Sequence, residues 1–122
     1  MVEEDCVFCK IIKKEIPAEI VEESENFIVI KDIRKLVDGH SLVIPKKHYK
    51  TLLDMPSSLY SEFLDVVKDA TFKLLKDTGA EGFNLVMNNF EAAGQVVRHA
   101  HLHILPRKKD DGLHLTLGDK GV

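Results

Sequence analysis

A single stretch does most to limit what this chain can fold into. Between Ser57 and Asp77, the residues Leu59, Phe63, Val66, Val67, Ala70 and Leu74 recur at i, i+3, i+4 spacing, with Gly79 just past the end. That pattern predicts one amphipathic helix whose apolar stripe needs a surface to cover it. Short extended runs supply the surface. Ala18 to Glu23 and Phe27 to Ile33, rich in Ile and Val and joined by Ser24-Glu25-Asn26, read as a β-hairpin. After an Asp38-Gly39 turn, Ser41 to Ile44 reads as a strand closed by Pro45. Gly82 to Asn89 alternates, with Phe83, Leu85 and Met87 on one side, and Val97 to Leu105 alternates again until Pro106 stops it. A short helix opens the chain from Cys6 to Lys14, carried by Val7, Phe8, Ile11 and Ile12 and ended by Pro17. The order α, β, β, β, α, β, β predicts an α+β fold: an antiparallel sheet of about five strands with one long and one short helix packed on one face.

The chain has 122 residues, 44% hydrophobic and 30% charged, which suits one domain with a real core. Residues 108–122, rich in Lys, Asp and Gly, read as a loosely ordered C-terminal extension. A formal net charge of -3 gives no global positive field, so neither a nucleic acid polymer nor an acidic membrane surface is an expected partner. An anionic ligand would have to be held by a local site. The acidic start Met1-Val2-Glu3-Glu4-Asp5 and the absence of a long apolar run lead to the expectation of a cytoplasmic protein. The two cysteines, Cys6 and Cys9, form a C-x-x-C pair that suggests metal or redox chemistry more than a structural disulfide.

Alternation along a strand puts His99, His101 and His103 on one face and Arg98, Ala100, Leu102 and Ile104 on the other. The expected arrangement is an apolar side against the helices and three imidazoles on an open face. A single such histidine would read as surface; three in register mark a functional site. The three cannot all converge on one metal from a straight strand. No acidic cluster suited to Mg²⁺ stands near them in the sequence.

The segment His99-Ala100-His101-Leu102-His103-Ile104-Leu105 resembles the His-φ-His-φ-His-φ-φ signature of the histidine triad (HIT) superfamily, φ being apolar. The likeness extends over Cys9-Lys10-Ile11-Ile12, Glu15 to Ala18, Asp32-Ile33, Gly39-His40, Leu42 to His48, Asn88 and Gly94-Gln95. It implies hydrolysis at the α-phosphate of nucleoside 5′-phosphate derivatives, dinucleoside polyphosphates or nucleoside phosphoramidates, through a nucleotide bonded to His101. A neutral imidazole suits that role, since its lone pair is available near pH 7. The resemblance further implies that the His99 carbonyl orients His101, that His103 donates to the phosphate or leaving group, and that His40 supports the triad.

By the same resemblance Asn88, Gly94 and Gln95 contact phosphate, while Asp32 and Ile33 hold the nucleoside and Phe8 and Ile12 flank its base. The substrate would be a purine nucleotide, adenosine foremost, and the protein a homodimer. Two cysteines and two histidines hold structural zinc in some relatives; those positions fall on Cys6, Cys9, His48 and His99. Val96 departs from the pattern, because many relatives carry Ser or Thr there. The alternative function is a nucleotide-binding regulator of the same fold that turns over slowly or not at all.

Overall fold

A computed structural model of the chain describes residues 5–115. Helix α1 spans Val7–Ile12 and helix α2 spans Tyr60–Thr78; five strands follow the order β1 Ile20–Glu23, β2 Phe27–Lys31, β3 Ser41–Pro45, β4 Gly82–Val86 and β5 Leu102–Arg107. They form one fully antiparallel sheet in the spatial order β1-β2-β3-β5-β4. Because β5 is antiparallel to both β3 and β4, those two strands run parallel with β5 between them, and α2 is the crossover that joins them. The expected class, strand count and long helix are all present. No helix among the described residues is long and apolar enough to cross a membrane.

Helix α2 ends where expected, at Gly79, whose φ of 73° closes the last turn in the left-handed region. Its stripe of Phe63, Val66, Val67, Ala70 and Leu74 packs on Phe27, Val29, Val43 and Ile104. Glu62, in its first turn, binds the β1–β2 turn by accepting from Asn26 N–H at 2.7 Å, Asn26 Nδ2 at 2.8 Å and the Ser24 hydroxyl at 2.5 Å.

The layering differs from expectation in one respect. The alternate residues Ile28, Ile30, Leu42 and Ile44 face the other side of the sheet and pack against Phe8 and Cys9 of α1. The short helix therefore lies opposite the long one. The unbroken apolar run Phe27-Ile28-Val29-Ile30 follows from this, because a strand covered on both faces has no polar side to show.

The last strand also begins later than the alternation predicts. Residues 97–101 are not strand: Ala100 N–H donates to the Tyr49 carbonyl at 2.7 Å, and the Pro45 carbonyl is taken by the His99 ring at 2.8 Å. With no N–H on Pro45 and its carbonyl occupied, β3 has nothing left to ladder with the segment before Leu102. At the other end Pro106 does not stop the strand. It pairs with Phe83 of β4, beyond Ile104, where pairing with β3 has ended. Of the proposed extension, residues 108–115 fold back on Arg107, which donates to both Asp111 oxygens at 2.7 and 2.9 Å and to the Leu113 carbonyl. Residues 116–122 lie outside the described part.

Candidate active site

His99 and His101 are buried, at 0% and 7% exposure, and so do not lie on an open face. Helix α1 covers them: the Phe8 ring sits edge-on to His101 with centroids 5.0 Å apart and to His99 at 5.8 Å. Burial lowers the pKa of His101, partly opposed by the His99 carbonyl, and so keeps the ring neutral. That carbonyl accepts the His101 Nδ1 proton at 2.7 Å, which fixes the tautomer and leaves a lone pair on Nε2. The orientation implied by the resemblance is present.

His40 and His103 form a proton chain whose direction is set by backbone. Leu36 N–H donates to His40 Nδ1 at 3.1 Å, so neutral His40 carries its proton on Nε2. That nitrogen lies 2.9 Å from His103 Nδ1 and 3.5 Å from Asp32 Oδ2. His103 thus accepts at Nδ1 and keeps its own proton on Nε2. Burial, with the His101 and His40 imidazoles adding to it, pushes the His103 pKa down to about 4; burial also lowers His40, against the pull of Asp32. Gly39 places His40 by a tight approach. Its φ is +83°, and a Cβ there would meet Thr78 Cγ2 at 2.7 Å.

Among the described residues two groups of side chains have the proximity for a metal, Cys6-Cys9-His48-His99 and Asp32-His40-His103. The tautomers separate them. In the second, the Nδ1 of His40 is spent on Leu36 N–H, so Nε2 holds a proton where a metal would need a lone pair. In the first, His99 Nε2–H donates to the Pro45 carbonyl at 2.8 Å, freeing Nδ1 to face Cys6 Sγ at 3.2 Å, Cys9 Sγ at 3.5 Å and His48 Nδ1 at 3.1 Å. Cys9 Sγ is 3.2 Å from His48 Nδ1. These separations approach the edges of a tetrahedron with Zn–N of about 2.0–2.1 Å and Zn–S of about 2.3 Å. The second hydrogen bond of His99 is the support a ligating imidazole requires. Burial first, and then Cys9, pushes the Cys6 thiol up to about 11, so thiolate at this position requires a cation beside it.

A cleft of about 530 Å³ opens over His101 and His103. Phe8, Asp32, Ile33, Asn88 and Gly94 line it, as does Val96, which is 87% exposed at the rim and offers no hydroxyl. Asp32 is held by accepting Arg34 N–H on Oδ1 at 2.9 Å. Gly94, at φ +93°, brings backbone beside Asn88, whose Nδ2 would be 3.7 Å from any added Cβ. Two expected residues stand elsewhere. Ile12 lines a neighbouring cavity with Ile16, Pro17 and Ile20, and Ile11 takes its place in the cleft. Gln95 is buried and its amide is spent within the loop: Oε1 accepts Phe90 N–H at 2.7 Å, and Nε2 donates to the carbonyls of Lys50 at 2.6 Å and Val97 at 3.0 Å. It shapes the Gly94 loop and has no donor left for phosphate. The Leu36 N–H and the Pro45 carbonyl escape sequence reading, since backbone groups leave no residue signal.

The HIT domain family model matches residues 13–110. An adenylylsulfatase of Arabidopsis thaliana is 46% identical over 109 residues, 89% of this chain and 55% of that protein. Adenosine 5′-monophosphoramidase of Candida albicans is 40% identical over 118 residues, covering 93% of this chain and 76% of the relative. A zinc-bound histidine triad family protein from Mycobacterium smegmatis superposes with a TM-score of 0.80 at 39% identity, over 91% of this chain and 81% of that one. With its matched segment, its fold and its histidine geometry in agreement, the chain belongs to the HIT family.

Proposed function

We propose that the protein hydrolyses nucleoside 5′-phosphate derivatives at the α-phosphorus, by way of a nucleotide bonded to His101 Nε2. The observation that carries this reading is the 2.7 Å bond from His101 Nδ1–H to the His99 carbonyl, which aims an unprotonated Nε2 into the cleft. In the first step the Nε2 lone pair forms the N–P bond while the bond from phosphorus to the leaving group breaks, the leaving group taking the electron pair. His103 Nε2–H donates a hydrogen bond to the phosphoryl group as charge moves. In the second step water attacks phosphorus, its proton passes to the bulk, and the N–P pair returns to His101. Asp32 accepts from the ribose hydroxyls and Phe8 borders the base; the relatives named for adenylyl sulfate and adenosine phosphoramidate support adenosine.

Cys6, Cys9, His48 and His99 would hold zinc, which in a closed shell of this kind supplies cross-linking and not chemistry. The exposed Phe83 and Leu85 on edge strand β4, with Phe72 and Leu64 exposed on α2, support a homodimer. We place the protein in the cytoplasm, where thiol ligands stay reduced. Val96 favours a second reading, slow turnover by a nucleotide-binding regulator, because the rim lacks a hydroxyl. Rapid quench with radiolabelled adenosine derivatives, followed by peptide mapping, tests the proposal. An acid-labile adduct on His101 is expected, abolished in His101→Ala; normal turnover in that variant would overturn it.

A further inference from the structure

The nucleotide cleft shares its wall with a second space. Val7, Val96 and Val97 border both the cleft and an adjoining cavity of about 390 Å³, which Lys50, Arg98 and His48 also line.

Its two cations are only lightly engaged. Lys50 and Arg98 are two cations against one carboxylate, Asp5. Among the described residues the Lys50 ammonium makes no ion pair, and Arg98 reaches only Glu91, at 3.8 Å with both side chains 80% or more exposed. A pair of that kind holds neither partner firmly. His48 adds an independent observation. Its Nε2 is buried and has no hydrogen-bond partner, and with Nδ1 turned to the cysteines the proton belongs on Nε2. The cavity wall therefore carries two weakly engaged cations together with the His48 ring.

The proton chain bears on the same question. His103 receives its Nδ1 hydrogen bond from His40 and keeps a single proton on Nε2, so in the free protein it can donate a hydrogen bond but has no surplus proton to transfer. A leaving group that departs as a stable anion needs nothing more; an amine must take up a proton.

We propose that the cavity bounded by Lys50, Arg98 and His48 is an anion subsite that receives the charged end of a sulfate- or phosphate-class leaving group while the nucleotide occupies the adjoining cleft. This rests on the hydrolase reading for its purpose but not for its test.

Inorganic pyrophosphate is the probe. Titrated into the full chain, it should shift the amide signals of Lys50, Val97 and Arg98, and the Lys50→Ala, Arg98→Ala double variant should weaken binding about tenfold, with salt doing the same to the wild type. Binding that is unaltered in the double variant, or that shifts only the residues around Gly94 and His101, overturns the subsite. In turnover, the double variant should lower kcat/KM for adenosine 5′-phosphosulfate or diadenosine tetraphosphate at least fivefold relative to adenosine 5′-phosphoramidate. A fall confined to one of the two anionic leaving groups assigns the subsite to that source, and an unchanged ratio for both refutes it. Pyrophosphate binding that depends on Lys50 and Arg98, in a protein that turns over none of the three substrates, upholds the subsite and removes the hydrolase reading.

Discussion

Gln95→Leu separates a residue that shapes the site from one that touches substrate. The wild-type amide satisfies three backbone groups at once: Phe90 N–H, the Lys50 carbonyl and the Val97 carbonyl, at 2.7, 2.6 and 3.0 Å. Leucine has a similar volume, so little is lost in packing, but all three partners lose their bonds. Each net hydrogen bond contributes about 1 kcal/mol, and a partner left dry costs more. Phe90 and Lys50 are exposed residues whose freed backbone groups can find water, which brings the expected loss to about 2 kcal/mol. For a chain of this length that lowers Tm by about 8 °C. Thermal and urea unfolding should both be followed with zinc in excess, so that metal loss does not break two-state behaviour. A variant within about 0.5 kcal/mol of wild type that nonetheless lost most of its nucleotide affinity would show the Gln95 side chain reaching phosphate, and the loop-shaping account would fail.

The remaining expectations concern acid, metal and assembly. Because burial holds the folded-state pKa of His103 at about 4 against an ordinary 6.5, its contribution to stability is complete above pH 6.5 and is lost as pH falls towards 4; urea midpoints between pH 7.5 and 4.5 should drop accordingly, and less so in His103→Gln. The acid limb of kcat/KM should lie below pH 6.5, since His101 is lowered in the same direction; a limb above 7 would contradict a buried neutral nucleophile. Protein purified without chelator should carry one zinc per chain, and Cys9→Ser should lose the metal and several degrees of Tm; full stability after exhaustive chelation would argue against the Cys6-Cys9-His48-His99 shell. Leu85→Lys on the edge strand should yield a monomer by light scattering without unfolding, and an unchanged mass would move the interface elsewhere.

Where sequence reading succeeded, it worked from period and from chemistry. The stripe from Phe63 to Leu74 and the glycine after it located α2 to within a few residues, because one face of a helix has a signature that context rarely erases. The grouping of His101 with His103 and of Cys6 with Cys9 was legible through side-chain identity and spacing, whereas the place of His48 beside the cysteines came from the resemblance. The misplacement of α1 came from weighing alternation above composition: Phe27 to Ile30 has no polar member and already says that both faces are covered. Gln95 was misjudged for a different reason. A glutamine in a glycine loop has the same donors whether they turn inward or outward, and only the positions of the Lys50 and Val97 carbonyls decide which. Residues 97–101 left strand geometry because of Pro45, a residue more than fifty positions away in sequence.

The place of β5 between β3 and β4 bears on how the molecule comes into being. Both neighbours are synthesised before it and stand apart with a strand-wide gap until it arrives, so β5, with His101 immediately before it, is a keystone set last into the middle of the arch. A ribosome-bound chain that has emerged only as far as β4 can present the helix stripe and the hairpin, yet it holds neither His101 nor a closed sheet. The proposed hydrolytic site is therefore assembled only with completion of the fold.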